Sequence, residues 1–236
     1  MKILALDTSS IVATVAIMDG EKLMAEYTLN HRKTHSQKLM PILDELLKTC
    51  QLRPRDIDVF GVSLGPGSFT GLRIGLATIK AMAQALDKPV VGVSTLEGLA
   101  YNLAYSKDRI CPIIDGQRDL VYTGLYQWDR DGLKGICQDK VIPIRDLLEK
   151  LKADGEAIIF VGDAVDKFRE EIEEKMGSLA IFPPSMFAIA RASSIAQLTR
   201  IRALQGKLSG VHDILPIYMR KSQAEKQWEE RMKNRG

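Results

Sequence analysis

From Thr70 to Leu86 the chain carries two charged residues, Arg73 and Lys80, and nearly every other position is apolar or small. Arg73, Lys80 and Gln84 are spaced i, i+7, i+11, so on a helix they form one narrow polar stripe. The rest of the circumference (Gly71, Leu72, Ile74, Gly75, Leu76, Ala77, Ile79, Ala81, Met82, Ala83) must be covered on more than one side. Gly71, Gly75, Thr78 and Met82 share a face of mostly small residues that lets another helix approach closely. Two arrangements meet that demand. The helix is sandwiched inside its own domain, or it has a sheet on one side and a partner protein on the other.

Strand signals surround this helix. Lys2 to Asp7 reads as a short apolar strand closed by Asp7-Thr8-Ser9-Ser10, with Ala13 to Ile17 as its partner and Asp19-Gly20 turning into Lys22–Leu29. Thr34 with Gln37 fits a capping box that opens an amphipathic helix through Lys48, in which Pro41 is expected to force a kink or a restart. Asp58–Leu64 and Val90–Val93 are further strands. The second part opens like the first: Ile113-Ile114-Asp115-Gly116 ends a strand at a carboxylate, and Leu120–Trp128 returns alternating residues. Ile144–Lys152 and Ala164–Met176 read as helices, Ala157–Val161 as a buried strand, and Phe182-Pro183-Pro184 as a break before one long helix from Ser185 to Leu204. Strands alternating with helices, plus hairpins, predict an α/β chain (α+β mixed sheets) of two related lobes. The expected divisions are 1–104, 105–184, a helical segment 185–215 packing back between the lobes, and a basic tail 216–236.

With 236 residues, 45% of them hydrophobic, the chain has ample material for a core. No apolar stretch approaches the ~20 residues of a membrane span. Asp7 comes too early for a secretory signal, and Cys50, Cys111 and Cys137 share no metal-like spacing, so a reducing cytoplasm is the expectation. The net charge of +3 sits wholly in the tail, where Arg220, Lys221, Lys226, Arg231, Lys233 and Arg235 face Glu225, Glu229 and Glu230. A neutral body is unlike a stand-alone nucleic-acid binder, and the tail is expected to be a solvated extension.

Several chemistries are suggested and then fail on spacing. Gly61-Val62-Ser63-Leu64-Gly65 matches a hydrolase elbow, yet Gly65-Pro66-Gly67 still follows, so Ser63 belongs inside the strand rather than at the turn. The segment Gly65 to Gly71 is neither a P-loop nor a dinucleotide fingerprint, because Thr70 and Leu72 stand where glycine or lysine is required. It reads as a tight turn with close helix packing. His31 and His35 are four apart, but no third ligand is near. Asp7, Thr8 and Ser9 with Asp115 and Gly116 are the best candidates for a nucleotide cleft, as facing hairpins that hold metal-bound phosphate. Glycine normally lets such hairpins approach phosphate, and the first has none. The cleft reads as degenerate.

Leu6-Asp7-Thr8-Ser9, His35-Ser36 with Leu39 and Pro41, Gly65-Pro66-Gly67-Ser68-Phe69-Thr70-Gly71-Leu72-Arg73-Ile74-Gly75, and Pro216-Ile217-Tyr218-Met219-Arg220 resemble the TsaB (YeaZ) family over nearly the whole chain. The resemblance implies an actin-like, Hsp70-like ATPase fold and a place in the bacterial machinery that makes threonylcarbamoyladenosine in tRNA. It implies pairing with the catalytic paralogue TsaD, with TsaE joining the pair, TsaC supplying threonylcarbamoyl-adenylate, and tRNA met only through the complex. The paralogue carries a His-Met-Glu-Gly-His type metal motif where this chain has Thr95-Leu96-Glu97-Gly98-Leu99. Leucine binds no metal and one threonine oxygen replaces imidazole poorly. No catalytic residue, metal or cofactor is therefore assigned. The expected partner surface is Leu39, Leu43 and Leu46 on the first helix and Gly71, Leu72, Ile74, Gly75, Thr78 and Met82 on the second, with a homodimer forming through it when the chain is alone. A metallopeptidase using His31 and His35, or a small-molecule kinase using Asp7 and Asp115, are the alternatives.

Overall fold

The computed structural model describes residues 1–30, 35–220 and 232. Lys2–Asp7 (β1), Val12–Asp19 (β2) and Lys22–Asn30 (β3) form an antiparallel meander. β1 also pairs in parallel with Val59–Ser63 (β4), and β4 with Val90–Val93 (β5), giving the order β3-β2-β1-β4-β5. Arg109–Asp115 (β6), Leu120–Asp129 (β7) and Gly132–Pro143 (β8) repeat the meander, and Ile158–Val161 (β9) and Ala180–Ile181 (β10) repeat the parallel pair, in the order β10-β9-β6-β7-β8. Strand for strand, the two sheets share one topology.

The helices are His35–Thr49 (α1), Phe69–Leu86 (α2), Thr95–Tyr101 (α3), Ile144–Asp154 (α4), Val165–Met176 (α5), Ser185–Ala188 (α6) and Ala192–Leu204 (α7). One face of the first sheet is covered by α1 and α2, where Leu39, Leu43, Leu76 and Ile79 pack on Leu4, Leu6, Ile17 and Phe60. Its other face is covered by α7, through Ile195 and Leu198 on Ile3, Ala5, Val91 and Val93. The second sheet lies between α4 with α5 on one side and α3 on the other. Each half thus lends a helix to the other. α3 follows the last strand of the first sheet but packs on the second, and α7 follows the last strand of the second but packs on the first. β1 is buried on both faces in consequence, which is why it reads as an unbroken apolar run.

The structure changes several expectations. The single helix from Ser185 to Leu204 is two helices, parted at Ile189, which is extended (φ −103°, ψ 159°). The Nδ2 of Asn102 donates to the carbonyls of Phe187 and Ile189 at 3.0 and 2.7 Å, and Glu26 receives the amide of Ser193 at 2.9 Å, so tertiary contacts end one helix and start the other. α7 lies on the first sheet. α1 passes through Pro41 as one helix. β8 and α3 are elements the sequence did not announce. Thr34, His31 and the tail residues Lys221, Lys226, Arg231, Lys233 and Arg235 lie outside the described residues.

Candidate functional site

The first hairpin turn hangs on Asp7 at the end of β1. Its Oδ1 accepts the amide of Ser9 at 2.7 Å and the Ser9 hydroxyl at 2.6 Å, and Asp7, Thr8 and Ser9 are all buried. The glycine segment presses onto this turn. A Cβ on Gly67 would lie 2.3 Å from the Ser9 carbonyl oxygen, and the Ser68 amide donates to that oxygen at 2.6 Å. These glycines serve close packing, as their spacing suggested. Ser68 also caps α2 by accepting from the Gly71 amide.

The second hairpin is built differently. Asp115, exposed at the end of β6, accepts the Gln117 amide and the Lys167 ammonium, each at 3.0 Å, and its own amide donates to Asp163 Oδ1 at 3.0 Å. Asp163 is exposed at the cleft. Desolvation pushes its carboxyl above the usual range, aided by the charges of Asp115 and Asp7 and opposed by the Asp115 amide. Beside the first hairpin lies a cavity of about 470 Å³, lined by Ser9 and Ser10, by Asp163, Asp166 and Arg169 after β9, and by Ile114, Phe160 and Ile189. Of the five residues expected at the cleft, Ser9 lines this cavity. Asp7 and Thr8 are buried beneath the turn, while Asp115 and Gly116 belong to the second hairpin outside the cavity lining. Asp163 was missed. It follows β9 by one glycine, the same strand-then-carboxylate pattern that singled out Asp7 and Asp115.

Thr95 and Leu99, which the family resemblance sets against the paralogue's metal-binding histidines, are core. Thr95 Oγ1 and Ser63 Oγ lie 2.6 Å apart, both buried, and Ser63 is the last residue of β4, with its hydroxyl held inside the fold rather than exposed. Leu99 packs with Leu96 and Ala100 against Ile110 and Ile114. Glu97 pairs with Arg202. Among the described residues no group of three His, Cys, Asp or Glu is gathered closely enough to hold a metal ion.

The expected partner surface needs correction. Leu39, Leu43 and Leu46 are buried in the chain's own core, and so is Leu72. Gly71 and Gly75 stand on Thr8, where a Cβ would come within 2.0 Å of its carbonyl oxygen and 2.3 Å of its hydroxyl. Ile74, Thr78 and Met82 are half-buried. Sequence periodicity says which residues share a face, but not which face turns inward. What α1 turns outward is Lys38, Met40, Pro41, Asp44, Glu45, Lys48 and Thr49, and what α2 turns outward is Thr70, Arg73, Ala77, Ala81, Gln84 and Ala85. No helix of the described residues is long and apolar enough to cross a membrane.

Two lobes of one repeated topology, exchanging a helix across a cleft between hairpins, define an actin-like ATPase fold. Component A of the (R)-2-hydroxyglutaryl-CoA dehydratase from Acidaminococcus fermentans shares it at a TM-score of 0.52 and 10% identity, over 86% of this chain and 99% of that one. The chain belongs to the TsaB family, and with it to the family described as TsaD: tRNA N6-adenosine threonylcarbamoyltransferase, whose model matches residues 22–228. The tRNA threonylcarbamoyladenosine biosynthesis protein TsaB of Bacillus subtilis is 35% identical over 233 residues, which is 99% of this chain and 100% of that one. A Pseudomonas aeruginosa crystal structure, described as an uncharacterized protein with similarity to peptidase YEAZ, superposes at a TM-score of 0.80 with 26% identity, covering 93% of this chain and 99% of that one.

Proposed function

We propose that this chain is a non-catalytic subunit of the machinery that makes threonylcarbamoyladenosine in tRNA, acting in the cytoplasm by pairing with the catalytic TsaD. One observation carries the reading: the two positions where the paralogue holds its metal are a buried threonine bonded to Ser63 and a leucine packed in a hydrophobic cluster. A chain that has filled its reactive centre with core contacts works through its surface. TsaE joins the pair, TsaC supplies the activated threonylcarbamoyl group, and tRNA is met through the complex.

The surface proposed for TsaD is the outward side of α1 and α2, where Met40 and Pro41 are exposed on the first helix and the small Ala77, Ala81 and Ala85 on the second, with Ile74, Thr78 and Met82 of α2 half-buried. Small side chains let a partner helix approach closely, and interfaces of this kind bury roughly 1,200–2,000 Å² in total. Without TsaD the same face pairs with a second copy about a two-fold axis. The test is Ala81→Arg, which should abolish co-elution with TsaD and tRNA modification in the reconstituted system while the thermal midpoint stays put. If Ala81→Arg still pairs, the interface lies elsewhere. Turnover by the isolated chain that is quenched by altering its own side chains would overturn the non-catalytic reading.

A further inference from the structure

We infer that residues 209–220 form a strap that latches the two lobes together, with Tyr218 gripping the first and Arg220 the second. The strap starts on the free edge of the first sheet, where Ser209 and Val90 exchange backbone hydrogen bonds of 3.0 Å in both directions. It then crosses the β4–α2 turn, and the Ile217 amide donates to the Leu64 carbonyl at 2.7 Å. The fit is close: a Cβ on Gly65 would come 3.0 Å from the Ile217 carbonyl oxygen. Tyr218 stacks on Phe69, the first residue of α2, with ring centroids 4.8 Å apart and planes 24° from parallel. Its hydroxyl accepts from Arg73 Nε at 2.9 Å, and the same guanidinium lies 5.7 Å from the ring centroid.

The next two residues change lobes. Met219 packs into the cluster that α3 makes with the second sheet, and Arg220 donates through Nη1 to the Gly116 carbonyl in the β6–β7 turn. A two-residue step spans at most about 7 Å. The start of α2 and the β6–β7 turn are therefore tied to each other at this edge while Tyr218 and Arg220 both hold.

The turn that Arg220 grips is itself under strain. Gln117, Arg118 and Asp119 have φ of 65°, 51° and 61°, three successive non-glycine residues in the left-handed region. Such a conformation persists where surrounding contacts impose it. Arg220 supplies one of those contacts from beyond the second lobe's own strands. The strap is thus a conformational device that couples the start of α2 to the geometry of the opposite hairpin, and it operates whether or not α2 also receives a partner.

Amide hydrogen exchange on the full chain, followed by mass spectrometry, tests this. Arg220→Ala should speed exchange at residues 116–120 by tenfold or more while β1 and β4 exchange as before, and Arg220→Lys, which keeps a donor, should restore part of the protection. Tyr218→Ala should speed exchange at the same turn, which Tyr218 does not touch. An unchanged turn in Arg220→Ala, or acceleration confined to the start of α2 in Tyr218→Ala, would overturn the latch.

Discussion

Thr8 and Gly71 meet back to back: the Thr8 hydroxyl donates to the Gly71 carbonyl at 2.8 Å, and a Cβ on Gly71 would sit 2.0 Å from the Thr8 carbonyl oxygen. That contact seats the first turn of α2 on the first hairpin. The obstacle is backbone, which no rotamer change relieves. Gly71→Ala gains helix propensity of about 1 kcal/mol at most. Against that stands an overpacking cost of about 1–3 kcal/mol, so the net effect is a loss. At roughly 2–4 °C per kcal/mol for a chain of this size, the thermal midpoint should fall measurably. A midpoint equal to or above the parent would mean the contact is looser than it stands.

Asp7→Ala should cost stability without costing activity. The substitution strands the Ser9 amide and hydroxyl in a buried place, a loss of about 1–3 kcal/mol. Asp115 is exposed, and Asp115→Ala should do much less. Reconstituted tRNA modification, normalised to folded protein, should be close to parental in both. Selective loss of turnover in either variant, with the complex still assembled, would revive the kinase reading.

How much of this was legible in the sequence differs from element to element, for physical reasons. α2 could be bounded to within a residue because its signals are local: Ser68 caps it, and glycine and proline fence its start. β8 was missed because it is an edge strand mostly exposed on both faces, so it shows no alternation of apolar and polar residues. The α6–α7 break was missed because the residues that make it, Asn102 and Glu26, lie far away in the chain. The site divides in the same way. That Thr95 and Leu99 are poor metal ligands could be read from their side chains once the family resemblance was in hand. The inward turn of Gly71 and Gly75 depends on where Thr8 lands.

The Thr199 hydroxyl, fully buried on α7 over Gly61, has no hydrogen-bond partner among the described residues. A buried hydroxyl without a hydrogen bond costs about 1–3 kcal/mol, and replacing it with a methyl of similar shape removes that cost. Thr199→Val should therefore raise the urea midpoint with an unchanged slope. Destabilisation would show that the hydroxyl has a partner, or that the gap above Gly61 is too small for a methyl.

Asp163 supplies a pH test whose sign is fixed by the direction of its shift. Its carboxyl, desolvated at the cleft and close to the charges of Asp115 and Asp7, titrates above the ordinary value of 3.8, while Lys167 is engaged with Asp115. As pH rises past 3.8 the unfolded chain releases this proton first and the native state still holds it. The native state then binds more protons, so stability falls with rising pH until the folded pKa is passed and stays lowered above it. Asp163→Asn keeps an oxygen to accept the Asp115 amide and removes the charge. The variant should be more stable than the parent at pH 7, and the difference should shrink toward zero as pH approaches 4. Urea unfolding across pH 4 to 8 measures it. A variant less stable than the parent at neutral pH would mean that the Asp163 charge stabilises the native state, through its bond to the Asp115 amide, more than desolvation penalises it.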